Sequence, residues 1–348
     1  MSFFINDINT ILFSRYRSSL MGIGILGVLI GHFFSLSGVT PSNYFALLIS
    51  KIYILVFTQG FLFLSGLGLY FSYTKDSSTI AFYKRRLYRV FIPYIILTTP
   101  YFLFQDFFVN QPDLMRFIGH ITTLGYWTSE GNFNGLWYIA VSLILYVTYP
   151  LIHNAIFVRK DCFSNVLLSW GGLMTVVSIV NICILKFQPE YYSTHNLGIE
   201  QYCIFYVGML TGYILNRKKL VFQLILPILF ILFFTFQRII PELYFLYDPM
   251  KKVCIYMPLI CILFYTLEHR IKLIHWIRIA LDWMGRYSLE LYILHSILYC
   301  FLIRLNIDIL DTTISISTAI IVSLIVCQPI HLLIYKIVQR LKTTTILG

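Results

Sequence analysis

Long apolar runs alternate with short polar, basic or aromatic segments from Leu20 almost to the end of the chain. Ten runs lie at approximately 20–38, 52–73, 90–108, 136–157, 163–186, 201–216, 220–236, 253–267, 287–305 and 313–335. The sixth, seventh and eighth are short. Runs of this kind suit the thickness of a bilayer hydrocarbon core, and no soluble fold hides so many. The pattern predicts an all-α polytopic membrane bundle of about ten transmembrane helices. Since no polar stretch exceeds about 30 residues, one membrane-embedded domain over 1–348 is expected, with no appended soluble domain.

Between the runs, two segments stand out. The loop 109–135 is the longest on its side, is rich in Gly, Asn and aromatic residues, and ends in EGNFNGLWYI. Segment 268–286 alternates basic and apolar residues and reads as an interfacial amphipathic helix leading into the ninth run. Arg15 and Arg17 ahead of the first run resemble the start of a leader peptide, but the run continues past His32, so it reads as a span.

Composition agrees: 58% of residues are hydrophobic and 12% charged, against about 25% charged in a soluble domain. A net charge of +11 would suggest nucleic acid for a soluble protein. Here its distribution decides, and it argues for membrane topology and against a nucleic-acid partner. With the N-terminus in the cytoplasm, 19 of the 26 Lys and Arg fall on the inner side and 7 on the outer, which predicts both termini inside. The seven cysteines are scattered and make no CxxC pair, so neither a metal site nor a disulfide framework is indicated.

Within this apolar background a few groups stand out. His32 lies 12 residues into the first run, about 18 Å along a helix axis and near mid-bilayer. Gly24, Gly27 and Gly31 recur beside it and allow a neighbouring backbone to approach. A desolvated histidine favours its neutral form, able to accept a proton; the alternative is a structural histidine bonded to a carbonyl. The segment KRRLYR brings Lys84, Arg85, Arg86 and Arg89 together just before the third run, with Arg86 and Arg89 at i, i+3 spacing. Guanidinium groups bind phosphates bidentately, although such a patch also serves as a topology signal or headgroup anchor. In the ninth run Ser288, Tyr292, His295, Ser296 and Tyr299 form one polar stripe, expected to face the bundle interior. Glu290 projects elsewhere and is expected to pair with Arg286 one turn earlier. The SGLG of the second run suggests close packing. His120, His153, His195, His269 and His275 fall in or near loops without metal-ligand spacing.

These segments, in this order, resemble the acyltransferase 3 family of bacterial membrane proteins. The resemblance rests on LMGIGILGVLIGH ending at His32, on FLFLSG, and on Arg86-x-x-Arg89-x-x-x-Pro93. It continues in LWYIAVSLILYVTYPL, YCIFYVGMLTGYIL and SLELYILH. One departure is Met21, where the family usually has Arg; Arg17, four residues earlier on roughly the same side, is a candidate substitute. The resemblance implies transfer of an acyl group, most often acetyl, from acyl-coenzyme A to a hydroxyl of a cell-surface polysaccharide or lipid-linked sugar. It implies a multi-pass protein of the inner (cytoplasmic) membrane, with no permanently bound cofactor and with acyl-coenzyme A as donor substrate. Arg86 and Arg89, helped by Lys84, Arg85 and Arg17, would hold the donor. His32 would act as general base or as a transient acyl carrier, with Tyr292 or His295 stabilising the oxyanion. The expected partners are acyl-coenzyme A, a carbohydrate acceptor, the bilayer and polysaccharide biosynthesis proteins. A transporter or flippase of a lipid-linked sugar and a non-catalytic scaffold of a polysaccharide synthesis complex are the alternatives.

Overall fold

A computed structural model describes residues 13–37, 58–128, 135–158, 162–217, 231–232, 234–235, 238–239, 249–268, 270–304 and 312–346. Most of the seventh apolar run (220–236), the start of the second (52–57), residues 129–134 of the long loop and His269 lie outside the described residues. So do the loop charges at 51, 130, 159–160, 218–219, 242, 248, 308 and 311.

The regular elements among the described residues are all helical. They are α1 (Arg17–Ser37), α2 (Thr58–Lys75), α3 (Thr79–Val109), α4 (Leu114–Thr122), α5 (Gly125–Thr128), α6 (Trp137–Val158) and α7 (Phe163–Phe187). There follow α8 (Pro189–Ile199), α9 (Tyr202–Asn216), α10 (Pro249–Leu267), α11 (Lys272–Arg286), α12 (Ser288–Arg304) and α13 (Thr312–Ile346). Six of them, α1, α3, α6, α7, α10 and α13, are long and apolar enough to cross a membrane. Among the described residues, α2, α9 and α12 do not reach that length and hydropathy, α2 beginning and α12 ending where the described residues do. The surroundings of α9 and α12 are protein. Every residue of α9 from Cys203 to Leu215 is buried, as is every residue of α12 from Glu290 to Ile297. These helices meet protein all round, so they need not match lipid and can carry polar groups.

The chain forms two compact units. The first comprises Met1–Gly24, Ile54–Thr79 and Ile144–Arg286; the second comprises Ile25–Tyr53, Ile80–Leu143 and Tyr287–Gly348. In the first, α2 and α9 lie backbone to backbone. A Cβ on Gly66 would collide with the Phe205 carbonyl, and one on Gly208 with that of Phe63. Elsewhere in this unit, buried Glu268 joins Arg15 and Arg278, the latter at 3.0 Å, and Arg278 also reaches Asp282 at 2.9 Å. The amphipathic α11 leaves Leu273 and Trp276 exposed, as an interfacial helix should.

In the second unit, α12 packs against α13 and against α3. Glu290 pairs with His331 of α13 at 2.6 Å, a partner that the expected local pairing with Arg286 missed because it lies 41 positions away. Helix α3 contains two π turns, Leu87–Phe91 and Phe104–Val109. The first has a local cause in Pro93, which withholds an N–H and would clash with the carbonyl four residues back. Opening the ladder there, with the Ile92 N–H donating to the Leu87 carbonyl, lets the helix pass the proline unbroken.

Candidate active site

The candidate site in the second unit grows from α1 and α12. The half-buried His32 ring meets the fully buried His295 ring, with His32 Nδ1 2.8 Å from His295 Nε2. Residue 295 is placed by its own helix. Its Nδ1 lies 2.7 Å from the Leu291 carbonyl oxygen one turn back, and Ser296 Oγ lies 3.3 Å from its Nε2. Among the described residues, His32 Nε2 makes no hydrogen bond.

The third member of the predicted trio arrives through the backbone. The Tyr292 hydroxyl donates to the Gly135 carbonyl and accepts from the Tyr138 N–H at 3.3 Å. Gly135 has φ +76°, the left-handed region that favours glycine. A Cβ there would stand 3.3 Å from Ser296 Oγ and 3.6 Å from His32 Cε1. So the residue ahead of the LWYI segment closes the Cε1 side of the His32 ring, and Tyr292 fixes its carbonyl. The polar stripe predicted on α12 is buried from Ser288 to Ser296, while Tyr299 is half-buried.

The cationic segment forms the first turns of α3. Lys84 and Arg89 are exposed, Arg85 and Arg86 half-buried, and the Arg86 guanidinium lies 5.7 Å from the centre of the Phe82 ring. The π turn that begins at Leu87 disturbs the i, i+3 alignment of Arg86 with Arg89 that an unbroken α-helix would give. Arg17 belongs to the first unit, where its guanidinium lies over the open face of Gly68 on α2.

A second histidine cluster sits in the same unit as His32 and was not legible as one. Asp106, fully buried in the second π turn of α3, accepts from His120 Nδ1 at 2.6 Å and from Arg116 Nε at 3.2 Å. His120 stacks on Phe102, and the Tyr94 hydroxyl donates to its carbonyl. What reads as a loop from 109 onward is therefore partly the helices α4 and α5, with α4 capped by Asp113 and tied back to α3. The available signal was Asp106 itself, a carboxylate inside the third apolar run, 90–108, where an ionisable group needs a partner. Groups of His, Cys, Asp and Glu able to hold a metal ion are absent among the described residues.

No curated protein and no solved structure matches the chain. The sequence profile of the acyltransferase 3 family, described as an acyltransferase domain, matches residues 20–332. That stretch takes in His32, the cationic turn of α3, Gly135 and His295. The chain therefore belongs to the acyltransferase 3 family, and it is a membrane acyltransferase that transfers acyl groups other than amino-acyl groups.

Proposed function

We propose that the protein is an acyl-coenzyme A-dependent O-acyltransferase of the inner membrane, acetyl being the preferred acyl group. Its acceptor is a hydroxyl of a cell-surface polysaccharide or lipid-linked sugar. The observation that carries this reading is the half-buried His32, anchored through one ring nitrogen and, among the described residues, without a hydrogen bond at the other. In this reading ten helices cross the bilayer with both termini in the cytoplasm. The first turns of α3 then face the cytosol, where acyl-coenzyme A is made. Lys84, Arg85, Arg86 and Arg89 supply the charge for its phosphates.

The reaction needs a base at the acceptor hydroxyl. His32 takes that proton as the oxygen attacks the thioester carbonyl. The C–S bond then breaks, the ester forms, and the departing coenzyme A thiolate receives the proton from His32. A positioned base contributes about 10²- to 10⁴-fold in rate, and alignment of donor and acceptor supplies much of the rest. Tyr292 and His295 have their donor hydrogens engaged away from an oxyanion. The Tyr292 hydroxyl is committed to the Gly135 carbonyl, and the His295 Nδ1–H faces that of Leu291. Tyr292 instead holds Gly135 beside the His32 ring.

The test has two parts. Surface glycan from cells with and without the gene is compared by mass, and membranes from the same cells are given radiolabelled acetyl-coenzyme A. The proposal expects an acyl mass increment and glycan-bound label only where the gene is present. Identical glycans and no gene-dependent label would reject it.

A further inference from the structure

We infer that His295 is a positioning residue whose task is to fix the tautomer of His32, so that the nitrogen facing the reaction is Nε2. This rests on the reading of His32 as general base and adds which atom takes the proton and what sets it.

One line of hydrogen bonds sets the tautomer. A backbone carbonyl can only accept, so the contact between His295 Nδ1 and the Leu291 oxygen at 2.7 Å puts a hydrogen on His295 Nδ1. In a neutral imidazole the other nitrogen then carries none, and His295 Nε2 is an acceptor. Two groups point at it: His32 Nδ1 at 2.8 Å and Ser296 Oγ at 3.3 Å. His32 must therefore donate from Nδ1, which leaves its lone pair on Nε2. A helix carbonyl thus dictates, through one buried ring, which nitrogen of a second ring is basic. His295 is fully buried and α12 is enclosed around it, so the relay has a rigid mount. Gly135 closes the Cε1 side of His32, and the half-buried ring keeps its Nε2 without a partner among the described residues. An orienting group of this kind acts through the base, without touching substrate; where one holds a catalytic histidine, its loss costs up to about 10⁴-fold in turnover.

The variants are His295→Gln, His295→Asn and His295→Phe, with His32→Ala as reference. They are compared as membranes holding equal amounts of protein that survives detergent extraction as one species. The assay is transfer from radiolabelled acetyl-coenzyme A to the endogenous glycan. A glutamine oxygen reaches the place of Nε2 and accepts from His32; an asparagine oxygen stops at the place of Nδ1, and phenylalanine offers no acceptor. The expected order is wild type, then Gln, then Asn and Phe together. The last two should fall on the order of 10²-fold in kcat with the KM for acetyl-coenzyme A within about twofold. Equal losses in Gln and Phe, wild-type turnover in Phe, or a change confined to KM would overturn the relay. His32→Ala separates the two claims. If it is inactive while His295→Phe turns over normally, the base stands and the relay falls; if it is active, the base falls as well.

Discussion

Two histidines of the second unit are each gripped through Nδ1, and the grips differ in charge. His120 donates to the carboxylate of Asp106, which also holds Arg116. His32 meets another imidazole through Nδ1, and with the inferred tautomers it donates to that neutral ring. A buried carboxylate needs a cation or strong donors, and breaking such a cluster leaves an uncompensated charge. The Asp106 cluster therefore ties α4 to the end of α3, and His120 stacks on Phe102 in the interior. The imidazole pair orients a ring without adding charge, and among the described residues Nε2 of His32 has no hydrogen bond. One pair holds structure, and on the proposed function the other presents a base.

The contrast breaks most sharply at the two histidines themselves. His32→Ala should lower glycan labelling by at least about 10²-fold with the protein still extracted intact. His120→Ala should keep labelling per folded protein within about threefold while lowering the melting temperature. Matching losses of turnover in both would erase the distinction. Next in size is Asp106→Ala, which leaves His120 and Arg116 without their carboxylate. It should cost about 3–5 kcal/mol of stability, read as an earlier thermal melt in detergent, with the donor KM unchanged.

The sequence made one of these sites visible and hid the other. His32 announces itself because an ionisable group interrupts an apolar run, and His295 because it repeats at helical spacing with Tyr292 and Ser296. The Asp106–His120 pair was hidden because 109–135 looks like a loop and because a π turn at Phe104–Val109 carries Asp106 inward. Glu290 eludes local reading for a related reason: spacing favours Arg286, while its partner His331 comes from another helix. Helix positions follow hydrophobic length well where a helix meets lipid. They follow it equally well at α9 and α12, where the expected runs 201–216 and 287–305 meet helices Tyr202–Asn216 and Ser288–Arg304; what the runs do not show is that protein rather than lipid surrounds these two. The hydrogen-bond direction between His32 and His295 depends on the Leu291 carbonyl, and no side-chain pattern encodes that.

Two smaller effects sharpen the contrast between holding and reacting. Arg86→Ala removes a guanidinium from the cationic turn and should raise the apparent KM for acetyl-coenzyme A about tenfold, as loss of a charge-assisted contact worth about 1.5 kcal/mol implies. Its kcat should stay near that of wild type; a change confined to acceptor kinetics would remove Arg86 from the donor site. Gly135→Ala meets a left-handed backbone and crowds Ser296 Oγ at 3.3 Å, beside the His32 ring at an ordinary 3.6 Å. It should lower kcat several-fold, in line with about 1–2 kcal/mol of strain, and unchanged turnover would show that the close approach does not matter.

Whether the donor's acyl carbon reaches His32 Nε2 can be asked chemically. Bromoacetyl-coenzyme A carries an alkylating carbon where the acetyl methyl group would lie. Incubated with the intact protein in bilayer discs and followed by peptide mass spectrometry, it should alkylate His32 at Nε2. Acetyl-coenzyme A should protect that position, and Arg86→Ala should slow the labelling. An unmodified His32 in a preparation that transfers acetyl normally, or alkylation that acetyl-coenzyme A does not suppress, would contradict a base that faces the donor through Nε2.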